Sequence, residues 1–407
     1  MGRFIVNGGK GLYGGVRVSG SKNAALPIIF ASLTTVGVSR IYNLPDITDV
    51  GDALGIIEEL GAKVWRESGV TFIDTSEARY CVPDLERVKH IRASTYLIGA
   101  CLSRFGRAEL LPFGGCTFSP RPIDMHLDAA HAFGARMDEG VLTMETSRPA
   151  EIVFRQPSVG ATVNALILAA SVKGESRLIG SACEPHIRAL ISFLRSAGAD
   201  IEQRGDVITV RGGELHGGSA VIPGDMIEAG TFLAASMATG GRVRVSGFDA
   251  RELAAFTRPL LSAGVIEDVS GGSIMLVGKP RREISVTTGA YPRFATDLQP
   301  IFATVLASGR GGVIEETVWR SRFGYLDQLS RFGLSFSRDN SRVRIFPSDV
   351  FAAKVKAPDL RGGAAAVILA LTAEGESEIS DGELILRGYD SFAEKMRSLG
   401  AEIQYIS

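Results

Sequence analysis

The sequence predicts an α/β protein of two similar domains, each holding three copies of one helix-strand unit. Three observations carry this expectation. A short phrase built around glycine recurs six times, apolar stretches of small residues lie between the copies, and 407 residues exceed what one hydrophobic core usually supports.

The recurring phrase reads Glu-Leu-Gly61-Ala-Lys-Val, Ala-Phe-Gly134-Ala-Arg-Met, Ser-Ala-Gly198-Ala-Asp-Ile, Ser-Ala-Gly264-Val-Ile-Glu, Arg-Phe-Gly333-Leu-Ser-Phe and Ser-Leu-Gly400-Ala-Glu-Ile. Its glycines are spaced roughly 64 to 73 residues apart. The residues before each glycine have helical periodicity: Leu190, Phe193 and Leu194 before Gly198, and Phe392, Met396 and Leu399 before Gly400. Glycine just past the last turn is the usual left-handed stop of a helix. The alternating run Glu402 to Ile406 then predicts a strand. Met1 to Gly20 is strand-like and glycine-rich. Ala161 to Val172, Gly230 to Thr239 and Gly363 to Ala373 have no polar face, which predicts helices at the centre of a layer. The midpoint of the six units falls near Val221-Ile222-Pro223-Gly224, the expected crossover between domains.

Composition bounds the function more weakly. A hydrophobic fraction of 45% and a charged fraction of 22% are those of a globular protein. A net charge of -1 supplies no basic field for nucleic acid, so an anionic ligand would need locally placed Arg and Lys. Cys81, Cys101, Cys116 and Cys183 form no CxxC pair, and the five histidines have no metal-ligand spacing, so neither a metal nor a cofactor is expected. No signal pattern opens the chain and no apolar run spans a membrane, which makes a cytoplasmic location without membrane partners the expectation.

Chemistry concentrates in turns. Between Leu111 and Leu127, Cys116 follows Gly114 and Gly115, while Pro120 and Pro122 fix the chain around Arg121. A thiol loop beside a rigidly held guanidinium reads as a lid over an anion, or as a surface loop with a stray cysteine. His126 is near enough in sequence to interest the same site. Lys22 precedes an apolar helix, whose N-terminal N–H groups favour an anion. Arg92, Arg361 and Arg387 stand at comparable turns, and guanidinium grips phosphate or carboxylate with paired hydrogen bonds. Asp297 fits either a helix N-cap or a general base. Ser158 to Thr162 fits either a cap or a set of phosphate donors.

Together these segments resemble the enolpyruvyl transferases of the EPSP synthase superfamily. The matches are Gly20-Ser-Lys-Asn-Ala-Ala-Leu-Pro27, Ile91-Arg-Ala-Ser94, Gly114-Gly-Cys-Thr, Arg121-Pro-Ile-Asp-Met-His126 and Pro157-Ser-Val-Gly-Ala-Thr162. Ile227-Glu-Ala-Gly-Thr-Phe232, Thr296-Asp-Leu-Gln299, Asp359-Leu-Arg361 and Arg387-Gly-Tyr389 continue them in family order over nearly the whole chain. The cysteine loop marks the cell-wall branch, which acts on UDP-N-acetylglucosamine. The resemblance implies two inside-out α/β barrels of three repeats each, closing on a cleft: residues 22–221, and residues 1–21 with 222–407. It implies transfer of the enolpyruvyl group of phosphoenolpyruvate to a hydroxyl of a uridine nucleotide or UDP-sugar, through a tetrahedral ketal, without a cofactor.

By the same resemblance Lys22, Arg121, Arg361 and Arg387 hold phosphoenolpyruvate and its adduct. Asp297 accepts the hydroxyl proton and Cys116 delivers a proton to C3. Arg92, Pro122, Ile123, Asp124, Met125, Ser158, Val159 and Gly160 match the uridine diphosphate contacts, with Arg121 and Met125 sandwiching uracil. Asn23 and Thr296 fall near the sugar, and Val318 is a further substrate contact. The chain also departs from the cell-wall branch. Arg320-Ser-Arg-Phe323 replaces a glutamate with Arg320, Leu384-Ile385-Leu386 replaces His-Ile-Asp, and Glu184-Pro185-His186 carries a histidine where a glutamate is usual. Asp359-Leu-Arg361 continues Gly-Gly rather than Ala-Ser. These changes fall on the acceptor side. They leave open a specialised paralogue acting on UMP or a related uridine nucleotide in nucleoside-antibiotic synthesis. An inactive nucleotide-binding regulator is disfavoured by the joint retention of Lys22, Cys116, Asp297, Arg361 and Arg387.

Overall fold

Helices without a polar face must be covered on every side, and the chain does this twice. The structure, a computed structural model, describes residues 2–115 and 121–407. It separates into a split unit, Met1–Ser19 with Gly224–Ser407, and a contiguous unit, Gly20–Pro223. Each unit has its own continuous core.

In the contiguous unit the apolar helices are Lys22–Ser32, Leu97–Phe105 and Val159–Ser171. In the split unit they are Met226–Ala238, Gln299–Ser308 and Leu360–Thr372. Every residue from Ala161 to Ala170 is buried, in keeping with the expected absence of a polar face. Burial of Leu166, Ile167 and Leu168 contributes about 1.5–3 kcal/mol each relative to exposure, and the intervening alanines let neighbouring elements approach closely.

Sheets cover the helices. The contiguous unit carries strands in the order Ser219–Val221, Val38–Tyr42, Val70–Asp74, Lys63–Glu67; then Arg107–Glu109, Val141–Thr143, Arg136–Asp138; then Asp200–Arg204, Val207–Gly212, Gly174–Ile179, Glu151–Val153. The split unit has three four-stranded sheets. Its amino-terminal strand Arg3–Gly8 lies between Gly375–Ser380 and Glu402–Ile406, both antiparallel. Tyr13–Arg17 pairs parallel with Arg242–Ser246, which ties the first residues of the chain to its second half. At the crossover, Ser21 N donates to Pro223 O within one unit, and Asp225 N donates to Ser19 O within the other.

All six stop glycines have positive φ, between 87° at Gly61 and 117° at Gly198. A strand follows each, including the expected Glu402–Ile406. The fifth copy differs from a plain helix: Leu326–Leu329 makes one α turn and tightens into a 3-10 turn, Ser330–Phe332, before Gly333. Among the described residues no helix is long and apolar enough to cross a membrane.

Two of the stops separate backbone strain from crowding. Gly333 and Gly400 have nearly the same φ, 94° and 95°. A Cβ on Gly400 would meet nothing within 4 Å, whereas one on Gly333 would lie 2.5 Å from Asp349 O. Gly400→Ala should therefore cost only the conformational term, about 1–2 kcal/mol. Gly333→Ala should lower the melting temperature distinctly more; equal losses would show that crowding at Gly333 is relieved by the chain around it.

Candidate active site

In the contiguous unit the candidate residues gather where apolar helices begin. Lys22 is the first residue of its helix, and its Nζ lies 2.5 Å from Asp49 Oδ2. Asp49 is buried in the first turn of the helix Thr48–Glu59. Asn23, beside Lys22, is half-buried. Arg92 opens the 3-10 turn Arg92–Tyr96 that leads into the helix Leu97–Phe105, and its Nη2 donates to the carbonyl of Arg121. Burial, and then the neighbouring Arg121 charge, push the Arg92 pKa below its ordinary value. Two cations this close, partly desolvated, disfavour each other and favour an anion.

Pro122 is exposed and Ile123 half-buried against the core, just ahead of the helix Asp124–Ala132. Asp124 Oδ1 accepts from Met125 N at 2.9 Å, and its other oxygen is paired with Arg155. Arg155 also lies 3.4 Å from Asp128, one turn further along. Met125 packs half-buried against the core. Ser158 caps the helix Val159–Ser171, accepting from Ala161 N at 3.4 Å. The capping role is thus present at Ser158.

One amide ties these segments together. Asn164 Oδ1 accepts from Gly99 N at 2.6 Å, and Asn164 Nδ2 donates to Thr95 O at 3.1 Å, which fixes the amide's orientation. Its Nδ2 also donates to His126 Nδ1 at 2.7 Å, leaving the imidazole proton on Nε2. The ring lies against Gly160, where a Cβ would come within 2.6 Å of His126 Cε1. His126 therefore sets the spacing between the 121–126 segment and the helix start at 158–160. Burial, and next the Arg92 charge, lower its pKa to about 4.

Cys116 and Pro120 lie outside the described residues. The glycines before Cys116 are used for close approach to backbone. A Cβ on Gly114 would lie 1.6 Å from Lys89 O, and Gly115 takes φ 112° over Arg92.

In the split unit Asp297 stands in the 3-10 turn Thr296–Leu298, ahead of the helix Gln299–Ser308. It does not cap that turn, whose N-cap is Ala295. Its carboxylate is instead drawn to Arg322 Nη1 at 2.7 Å and Arg361 Nη2 at 3.5 Å. With 31% of its side chain exposed, it remains reachable by a hydroxyl. Thr296 Oγ1 donates to Glu316 Oε2 at 2.8 Å and accepts from Arg322 Nη1 at 3.1 Å. Glu316, fully buried, accepts from Val318 N at 2.8 Å and so fixes the turn that presents exposed Val318.

Arg361 lies in the first turn of Leu360–Thr372, whose N-cap Asp359 accepts from Arg361 N and Gly362 N. Its side chain is 2% exposed, with Cζ 5.0 Å from the centroid of the Tyr389 ring. Burial opposes its charge, but Tyr389, Asp297 and Asp225 outweigh burial and raise its pKa. Nε and Nη1 find no hydrogen-bond partner among the described residues. A buried guanidinium with open donors is costly unless an anion completes it. Arg387 ends the short helix Glu383–Leu386 and is half-buried.

The departures fall in different settings. Arg320 is exposed, Leu384 and Leu386 pack half-buried against the core, and His186 is buried in the first turn of the helix Pro185–Ser196. Asp49, Asn164, Glu316 and Arg322 are site neighbours that the sequence reading did not single out. Asn164 had one signal, a lone amide in an otherwise apolar helix, and Arg322 sat inside the quoted Arg320 to Phe323 segment.

A family model for EPSP synthase (3-phosphoshikimate 1-carboxyvinyltransferase) matches residues 6–396. The chain belongs to the EPSP synthase family. Over 415 residues it is 36% identical to UDP-N-acetylglucosamine 1-carboxyvinyltransferase of Halothermothrix orenii, covering 100% of both chains. Its fold matches the enolpyruvyl transferase NikO from Streptomyces tendae with a TM-score of 0.90 at 26% identity, covering 100% of this chain and 99% of that one. It also matches EPSP synthase from Acinetobacter baumannii, with a TM-score of 0.72 at 16% identity over 100% of both. Like its EPSP synthase family relatives, the protein is a carboxyvinyl (enolpyruvyl) transferase with the two-domain, six-unit α/β fold of that family.

His126 gives this arrangement a pH signature. With its folded pKa near 4 against 6.5 ordinarily, the unfolded chain binds a proton that the folded one does not. The resulting stability is full above about pH 6.5 and is lost as pH falls through 4. Replacing it by a residue that does not titrate, His126→Gln, should narrow the stability gap between pH 7 and pH 4.5 by about 2 kcal/mol in denaturant titrations. An unchanged gap would exclude a buried neutral imidazole.

Proposed function

We propose that the protein transfers the enolpyruvyl group of phosphoenolpyruvate to the 3-hydroxyl of UDP-N-acetylglucosamine, releasing phosphate, as a step of peptidoglycan precursor synthesis. The observation that carries this reading is end-to-end identity of 36% with a relative named for that reaction. The acceptor oxygen adds to C2 of phosphoenolpyruvate while C3 gains a proton, giving a tetrahedral ketal. Loss of a C3 proton with departure of phosphate then restores the double bond.

Under this reading Lys22, Arg121, Arg361 and Arg387 hold the phosphate and carboxylate through both steps. Stabilising charge as it develops is the main contribution such cations make. The open Nε and Nη1 of buried Arg361 support its place in this group. Asp297 is the acceptor of the hydroxyl proton, supported by its partial exposure beside two guanidinium groups. Cys116 is the acid at C3, since a thiol with an ordinary pKa of about 8.5 is readily tuned by nearby cations. Arg92, Pro122, Ile123, Asp124, Met125, Ser158, Val159 and Gly160 are assigned to the uridine nucleotide, and Asn23, Thr296 and Val318 to the sugar side. The coupling of the 121–126 and 158–160 segments through His126 supports treating them as one recognition surface.

A second reading, a smaller uridine nucleotide such as UMP as acceptor, is favoured by one feature. Arg320 brings a positive charge two residues from Val318, where the cell-wall branch usually has a glutamate.

Phosphate release from phosphoenolpyruvate should be measured with each acceptor in turn. Turnover with UDP-N-acetylglucosamine is expected; turnover with UMP alone would move the protein to the second reading. Independently, Asp297→Asn should lower kcat about 10²–10⁴-fold, the usual contribution of a general base, while nucleotide binding by calorimetry stays unchanged. Retained turnover would remove Asp297 as the base.

A further inference from the structure

Glu316 has no solvent exposure, and both of its oxygens are hydrogen-bonded. Oε1 accepts from Thr288 Oγ1 at 2.7 Å, Val318 N at 2.8 Å and Trp319 N at 3.0 Å. Oε2 accepts, among the described residues, from Thr296 Oγ1 alone, at 2.8 Å. The hydroxyl proton of Thr296 is therefore committed to Glu316, and its lone pair is turned toward Arg322 Nη1 at 3.1 Å. That same Nη1 donates to Asp297 Oδ1 at 2.7 Å. A continuous chain of hydrogen bonds thus runs from a buried carboxylate through a hydroxyl and a guanidinium to Asp297.

We infer that Glu316 is a positioning residue for the transfer reaction, orienting Arg322 through Thr296 so that Arg322 occupies one oxygen of Asp297 without quenching its basicity. The argument is electrostatic as well as geometric. Arg322 is buried, and a guanidinium facing Asp297 alone would hold that carboxylate strongly in its charged, weakly basic form. Glu316 supplies a second negative charge to Arg322, so the positive field reaching Asp297 is shared. The other charged or titratable groups near this chain are Arg361, which contacts Asp297; Asp359, beside Arg322; Tyr325, beside Arg322 and Glu316; and Tyr389 and Asp225, beside Arg361.

A glutamine at 316 cannot reproduce the pattern. Three donors converge on Oε1, so the amide oxygen must stay there and the NH₂ must face Thr296. The hydroxyl then has to accept from that NH₂, and its proton opposes Arg322. Thr296→Val breaks the same chain while leaving the three Oε1 contacts intact, and Thr296→Ser retains it.

The inference rests on Asp297 as the base, and the test separates the two. In kcat/KM profiles against pH, Glu316→Gln and Thr296→Val should each move the acid limb down by about one pH unit and lower kcat about tenfold. Thr296→Ser, which keeps the hydroxyl, should leave the acid limb at the parent's position, whatever it does to KM. If Glu316→Gln fails to fold, the Thr296 pair carries the test alone. An acid limb in Thr296→Val that stays at the parent's position, or one in Thr296→Ser that moves as far as in Thr296→Val, would overturn the inference. If Asp297→Asn abolishes turnover in the same assay, that failure belongs to the relay; if Asp297→Asn keeps turnover, the base assignment fails instead.

Discussion

Helices with no polar face are the constraint on which the rest of this structure depends. A helix buried all round can present polar groups only at its ends, because any side chain along its length would be desolvated without compensation. The candidate residues follow that rule within each unit. Lys22 begins one apolar helix, Arg92 stands in the turn before the second, and Ser158 to Gly160 open the third. Asp225 caps the fourth, Asp297 sits in the turn before the fifth, and Arg361 lies in the first turn of the sixth. Helix N-termini carry unpaired N–H groups and partial positive charge. Adding Lys or Arg there concentrates positive field in a chain whose net charge is only -1.

Two polar side chains that enter the interior are each closed by a specific set of partners. Asn164 lies within an apolar helix because Gly99 N, Thr95 O and His126 Nδ1 satisfy its amide. Glu316 is buried with four donors. Losing one member of such a network leaves the others unsatisfied, at about 1–3 kcal/mol per orphaned group. Such networks are stiff, and stiffness is what a reaction that positions two substrates requires. Arg361 contrasts with both: in its buried setting Nε and Nη1 find no partner among the described residues. Its burial cost is met by neighbouring groups of opposite tendency rather than by a filled set of hydrogen bonds.

The parts of this architecture that were legible in the sequence are those set by local chemistry. A helix stop at Gly61 or Gly400 needs positive φ, and only glycine takes that without strain, so the six units could be read from their glycines. The apolar helices were legible because a missing polar face is visible along a single stretch. The turns bearing Lys22, Arg92 and Arg361 were legible as motifs. What those side chains touch was not. Asp49 is 27 residues from Lys22, and Arg322 is 25 from Asp297, so neither pair leaves a local trace. Asp297 read locally first as an N-cap, because a carboxylate at a loop-to-helix junction usually serves as one. A guanidinium elsewhere in the sequence outbid the local N–H groups. Leu384 and Leu386, which looked like losses of polar function, are half-buried contacts to the core.

These pairings also change how the cations should be weighed. Binding free energy is a difference between states, so a charge already engaged contributes only its surplus. Lys22 is held by a buried aspartate, and an anion arriving at Lys22 must compete with Asp49 or share the ammonium with it. Arg155 is already shared between Asp124 and Asp128 on the surface. Arg361 differs in kind: one edge and one face are occupied by Asp297 and Tyr389, while Nε and Nη1 find no partner among the described residues. Completing those donors removes a penalty as well as adding an attraction. Arg361 should therefore give more affinity per charge than Lys22, although a sequence assigns both the same unit of positive charge.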